Sequence, residues 1–375
     1  MKKIVSTVIA CCLMAMAMVS CSTIVAKSME ILDDNLDELG EELDELGEEL
    51  DGLGEELDGL GEELDGLGDS ICYASEGSDG NDSRIEYKVS GKRITISGSQ
   101  IEISKKDKYR TRKFKINNYN ALNVGYSFRV IMCDTIDSVT IRINEKLDKY
   151  LNVNVKRGVL NITLDGVGGI KAVDNAKFGY IYLPYNVNLC RFNLSGVASF
   201  ATALPINSSA VAVDLSGASS FKGKITCTTF SSDLSGTSRC RADIRCQTAD
   251  IELSGASRQE SNIECKRLDA ELSGTSELKG NVKADEIGGE LSGASKMQLA
   301  GSCDRLTAEL AGTSRLDCKM LHTKKMSGDM SGASRAEISC SDRIEMVLSG
   351  TSHLIYYGNA KSEIEASRAT TVERR

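Results

Sequence analysis

Cysteine is the residue type with the most chemistry to offer here, with thirteen copies against two histidines. Cys11 and Cys12 lie in an apolar leader. Cys21 ends Met18-Val19-Ser20-Cys21, the pattern of a bacterial lipobox, and is the expected lipid-attachment residue. Of the other ten, several recur at one place in a repeat. Twelve residues after successive repeat leucines come Cys227, Cys246, Cys265, Ala284, Cys303 and His322, and Cys340 joins the column when counted back from Leu348. An even number of thiols in an exported chain raises disulfides. Neighbours in this column would lie within disulfide Cα range, but with side chains in parallel. They are therefore expected as small buried apolar thiols. Cys303, His322 and Cys340 are a conceivable zinc set, but a dry ladder leaves no tetrahedral space, and no metal site is assigned.

Two further columns carry charge. The residue before each repeat leucine is Asp214, Asp233, Glu252, Glu271, Glu290, Glu309 or Asp329. Five residues after it come Arg239, Arg258, Glu277, Lys296, Arg315, Arg335 and His353. Carboxylates stacked about 4.8 Å apart repel one another. Raised pKa values, bound cations or an approach of the basic column must relieve them. A structural role is preferred to a cation strip. No catalytic or cofactor-binding residue is assigned, and the chain is not read as an enzyme. It lacks a G-x-S-x-G elbow, an H-E-x-x-H pair and a phosphate loop; Gly166-Val167-Gly168-Gly169 has the wrong spacing. With no Trp and 5% aromatics, sugar stacking and nucleic-acid binding are disfavoured.

The element that must position these columns is a repeat. Leu-Ser-Gly-Ala/Thr-Ser recurs with little drift through 190–355, with glycines at Gly196, Gly217, Gly236, Gly255, Gly274, Gly293, Gly312, Gly332 and Gly350, mostly 19 residues apart. A fixed short period means one unit stacked on itself. Within it, small or apolar residues alternate with period 2, as at Leu253, Gly255, Ser257, Gln259, Ser261, Ile263 and Cys265. That is strand, and 19 residues leave no room for a helix. The fold class is all-β: a single-stranded β-helix or solenoid of ~19-residue coils. Upstream, strands are expected near 113–118, 126–133, 138–143, 152–156, 159–164 and 178–183, with a helical turn near 145–151. Irregular ends would cap the open coils.

The chain divides into a lipoprotein signal peptide (1–21), a stalk (22–69), a linker with first strands (70–112), the β-solenoid (113–355) and a C-terminal cap and tail (356–375). Leucines from Leu32 to Leu67 alternate four and three apart, an acidic leucine-heptad helical segment with a coiled-coil seam. Residues 28–69 hold 19 acidic residues and no basic one, while residues 70–375 sum to 42 basic minus 35 acidic, or +7. Eight glycines, each costing about 1 kcal/mol in a helix, make an isolated stalk marginal. Self-association would stabilise it.

The LSG-A/T-S repeats join with Phe114-Lys115-Ile116-Asn117, Val159-Leu160-Asn161-Ile162, Ile181-Tyr182-Leu183-Pro184 and Tyr357-Gly358-Asn359. Over roughly 110–370 this resembles the putative auto-transporter adhesin, head GIN domain family. The resemblance implies a β-helical domain in exported bacterial proteins, and it transfers no functional residue. The expectation is a non-catalytic lipoprotein, anchored through Cys21 to the outer membrane and presenting the solenoid for adhesion or surface interaction. Its expected partners are the membrane, through the lipid, and further copies, through the stalk; no ligand is named. The alternatives are a periplasmic structural or envelope-stress protein oligomerising through the stalk, and a polysaccharide-active enzyme, which the uniform coils disfavour. Ser22–Lys27 carries no acidic residue, so sequence does not choose a membrane face.

Overall fold

A repeat that alternates with period 2 and turns at Gly can bury its marked side only by closing on itself. In a computed structural model it does so. Residues 101–173 and 177–375 are described in full, together with the backbone of residue 100 and of strands Arg84–Val89 and Lys92–Ser97. The signal segment with Cys21 and the leucine stalk lie outside the described residues. The chain separates into two units, 1–78 with 84–96, and 79–83 with 97–375. The two strands Arg84–Val89 and Lys92–Ser97 make a two-stranded sheet of their own.

In the second unit each regular coil holds two strands. Thr229–Leu234 and Arg239–Arg245 show the pattern, with strict alternation of buried and exposed residues in both. Each strand pairs in parallel with its equivalent one coil on: Thr229–Leu234 with Thr248–Leu253, and Arg239–Arg245 with Arg258–Glu264. From Glu277 onward the second corner joins the strands into one. Glu277–Leu291, Lys296–Leu310, Arg315–Met330 and Arg335–Leu348 each span a whole coil between Ser-Gly turns. Pairing continues past Leu348: Lys361–Ala366 stacks on Arg335–Leu348, and Thr371–Arg374 on His353–Tyr357.

The Ser-Gly corner explains the fixed motif. All nine repeat glycines have φ between 67° and 73°. At Gly274 an added Cβ would lie 2.6 Å from the Gly255 carbonyl oxygen. That oxygen accepts the Thr275 N–H at 2.8 Å, so corner stacks on corner. Glycine is needed here for both backbone conformation and coil spacing. The serine two residues on is buried. Ser219, Ser276 and Ser295 donate to the repeat leucine's carbonyl in the coil before, at 3.1, 3.2 and 3.3 Å.

The first coil is irregular. Ala121–Val124 and Phe128–Cys133 pair in parallel with Arg191–Leu194 and Ser199–Asn207. Tyr126, at φ 61°, occupies the corner under Gly196. The chain then makes an excursion to the far side of this coil, where Val159–Leu164 pairs in parallel with Ala121–Val124 and Gly179–Pro184 with Phe128–Cys133, before it returns at Arg191. In this excursion Val139–Asn144 lies antiparallel to both Tyr109–Phe114 and Gly179–Pro184, and Leu151–Lys156 to Val159–Leu164. The helical turn is a 3₁₀ turn, Asp148–Tyr150. Strand Tyr109–Phe114 begins four residues before the expected 113–118, and Ala121–Val124 and Gly169–Ala172 were not anticipated.

Candidate functional site: a groove along the stack

A concavity of about 1130 Å³ runs along the outside of the second strand ladder. A regular β-ladder is flat, so the hollow needs a cause. The inward position at mid-strand is small in four successive coils: Gly223, Ala242, Ser261 and Gly280. The backbone can dip there. At Gly280 a Cβ would fall 1.7 Å from the Ser261 carbonyl oxygen. Pairing also slips at this place, between Ala201 and Pro205, between Gln298 and Ala300, and between Cys318 and His322. The strand bends, and the residues on either side become two walls.

The groove changes character along its length. At one end stand Arg129, Lys222 and Lys224, which have no ion-pair partner among the described residues, over Ile131, Met132 and Ala201. Next, Arg241 Nε meets Glu260 Oε2 at 2.9 Å. A chain of amides follows: Asn262 Nδ2 donates to Asp243 Oδ1 at 2.8 Å, and Asn281 Nδ2 to Asn262 Oδ1 at 3.4 Å. The far end is apolar, with Leu299, Ala300 and Met320, the last 67% exposed. Lys319 lies there over the Tyr357 ring at 4.9 Å. An extended polar chain laid in this groove would meet cations, then hydrogen-bonding groups one strand spacing apart, then an apolar seat.

The carboxylate column forms a second strip. Asp233, Glu252, Glu271, Glu290, Glu309 and Asp329 are exposed and Asp214 is half-buried. No ion pair reaches them among the described residues, so the basic column does not relieve them. Two of its members turn instead to Glu277 within their own column: Arg258 at 3.6 Å and Lys296 at 4.0 Å. Two of the carboxylates have raised pKa values. Asp214 is pushed up by burial and then by Asp233. Glu252 is pushed up by burial and then by Asp233, Asp250 and Glu271.

The thiol column needs one correction. His322 does not belong to it. Arg315–Met330 holds one residue more than the strand before it, and the register slip after Gln298 pairs Thr323 with Cys303 and His322 with Ser302. His322 is exposed, whereas Cys303 and Cys340 are buried. The imagined zinc set is therefore split across the strand's two faces. Among the described residues no three Cys, His, Asp or Glu side chains converge on a metal position. No helix there is long and apolar enough to cross a membrane. All nine described cysteines are free thiols.

The family model for the putative auto-transporter adhesin, head GIN domain, matches residues 118–262 and 258–360. The chain belongs to this family. No curated relative matches it. It is similar to three solved structures, each across 73% of its own length. One is a putative adhesin from Parabacteroides merdae, 15% identical over 99% of that chain, TM-score 0.42. Another is a putative adhesin from Parabacteroides distasonis, 18% identical over 100%, TM-score 0.43. The third is a putative lipid binding protein from Parabacteroides distasonis, 14% identical over 99%, TM-score 0.39.

In this head GIN chain, the groove is what sequence reasoning missed. Period-2 reading makes every strand face flat. The available signal was the column of small residues at Gly223, Ala242, Ser261 and Gly280.

Proposed function

We propose that this protein is a non-catalytic adhesin of the cell envelope that holds an extended polar polymer along the bent-strand groove. Negatively charged groups of the polymer sit at the Arg129, Lys222 and Lys224 end. Cys21 carries the lipid that anchors the chain in the outer membrane. The leucine segment 22–69 sets the solenoid off the membrane and brings copies together. The observation that carries this reading is the placement of three cations, without ion-pair partners among the described residues, at one end of the continuous groove. The family's adhesin name supports it. Paired side chains in the middle of the groove are prearranged, which lowers the ordering cost of binding.

The test is binding of the delipidated chain to immobilised dextran sulfate, with neutral dextran beside it. Binding to the sulfated polymer should weaken steeply with salt, because exposed charges are screened within about 8 Å at physiological ionic strength. The Lys222→Glu/Lys224→Glu pair should lower it at least about tenfold, the scale of 1.4 kcal/mol. Equal retention on neutral dextran, or indifference to the double substitution, would sink the groove reading. Protease shaving of intact cells tests the location. Protection of the solenoid until lysis would favour a periplasmic structural role through the stalk.

A further inference from the structure

Three consecutive coils place cysteine at the same point of the second corner. Cys227, Cys246 and Cys265 donate their backbone N–H to the Arg245, Glu264 and Lys283 carbonyls at 2.9, 2.9 and 3.0 Å. The residue after each repeats as well: the Thr228, Gln247 and Lys266 N–H groups each donate 2.9 Å to the coil before. Identical corners put the three Cα atoms one strand spacing apart, about 4.8 Å, with side chains in parallel. All three thiols are free and half-buried.

The rest of the column is different. Ala284 ends the run. Thr323 separates the next two thiols and stands 3.5 Å from Cys303 Sγ, while Cys340 Sγ donates to the Lys324 and Arg343 carbonyls at 3.2 Å. Only the first three cysteines neighbour one another.

A disulfide wants Cβ atoms about 3.8 Å apart and inclined towards each other, which parallel side chains one coil apart do not offer. A tetrahedral metal wants ligands converging from several directions, and none converge. Two parallel thiolates about 4.8 Å apart suit one further geometry. A metal–thiolate bond is about 2.3 Å, so a cation midway between two sulfurs holds them about 4.6 Å apart. Monovalent, d¹⁰, thiophilic cations of the Cu(I) class accept two soft ligands in a line.

We propose that Cys246 and Cys265 form a two-coordinate site for a monovalent thiophilic cation, with Cys227 as a neighbouring thiol that can exchange into it. Binding is ligand exchange without electron transfer. Two S–H bonds break, two S–metal bonds form, and two protons go to solvent; the metal enters and stays monovalent. Cys246 is the middle thiol of the three, with a neighbour one strand spacing away on either side.

The test uses the full-length reduced protein without oxygen, titrated with Ag(I), and with Cu(I) in competition with a chromophoric chelator. One cation should bind per chain and shield Cys246 and Cys265, but not Cys133, from alkylation read by mass spectrometry. Cys246→Ala should weaken the site about a hundredfold or more, because it removes a second ligand held at high effective concentration. Alanine fits this corner, since Ala284 occupies it one coil beyond Cys265; circular dichroism checks that the variant folds. Cys133→Ser should change nothing. Affinity within about threefold of the parent in Cys246→Ala would overturn the proposal. So would protection of Cys133 or Cys190 in place of the pair, or a Cys246–Cys265 disulfide that forms in air and leaves no cation uptake.

Discussion

The excursion between Tyr109 and Cys190, which mixes antiparallel and parallel pairing, and the all-parallel stack from Arg191 onward solve the same problem, covering a sheet, by different means. In the stack every coil presents the same layer. Leu234, Leu253, Leu272, Leu291 and Leu310 occupy one buried column, each 2% exposed or less. Its ion pairs lie outside, such as Arg305–Glu286 and Arg241–Glu260, with side chains about half-exposed, and each contributes roughly 0.2–1 kcal/mol. Stability there is a sum of similar nearest-neighbour terms. The excursion repeats nothing and relies on single anchors. Asp148, with a side chain 5% exposed, is held by Arg112 at 2.8 and 2.7 Å and by Arg110 at 3.3 Å. Lys146 meets Asp107 at 3.0 Å. Where the two regions meet, Phe192, Phe200 and Phe221 cluster with ring centroids 4.7–5.2 Å apart. The stack should therefore be vulnerable through its backbone, and the excursion through individual side chains.

Gly280→Val gives the largest expected effect. Its Cβ would overlap the Ser261 carbonyl, so two coils must separate, at a cost of at least about 4 kcal/mol. Urea unfolding followed by circular dichroism should show loss of the sheet as a whole. Phe200→Ala comes next, at about 3–4 kcal/mol, because it empties a fully buried ring site at the junction. Hydrogen exchange should then show the excursion opening before the stack. Asp148→Asn follows, at about 2 kcal/mol, from weakened hydrogen bonds to charged donors. Its exchange should rise at Tyr109–Phe114 and stay unchanged beyond Gly217. If Asp148→Asn loosens the stack as much as Gly280→Val does, the two regions do not differ in what holds them together.

The same contrast decides what could be read from sequence. The stack was legible because its information is local and repeated: the glycine period gives the coil, and parity gives the buried face. Ser257, Gln259, Ser261 and Ile263 are buried as parity requires. The excursion's strands were legible one by one, but not their partners. Antiparallel pairing of Val139–Asn144 with both Tyr109–Phe114 and Gly179–Pro184 joins segments far apart in the chain. Parity also fails where the backbone bends. One extra residue between Asp317 and Met320, opposite Gln298–Ala300 of the coil before, moved His322 to the outer face, and that kind of irregularity shapes the groove. The two charged columns were legible as columns. Their relation was not, because whether Arg258 turns to Glu277 or towards the acidic strip depends on side-chain reach across the corner.

Acid should separate the two regions most finely, because it moves them in opposite directions. Arg112 and Arg110 hold the Asp148 carboxyl well below its usual range. Its contribution is complete above the unfolded value near 3.9 and is lost as pH falls through the lower folded value. Glu252 is the reverse case: the folded state raises its pKa through burial and its acidic neighbours. Its charge opposes folding at neutral pH, and that opposition fades as pH falls through the raised value. As pH falls through the raised Glu252 value the stack should gain slightly while the excursion is unchanged, and below about pH 4 the excursion should loosen. Glu252→Gln isolates the smaller effect. Because this side chain is exposed and screened, the variant should gain only about 0.3 kcal/mol at pH 7. On a protein of this size that is a rise in melting temperature of about 1 °C. At pH 4 the parent carboxylate is itself largely protonated, and the two proteins should melt together. A difference that persists at pH 4 would mean that glutamine packs better than glutamate there. Repulsion along the strip would then not be what sets the melting difference.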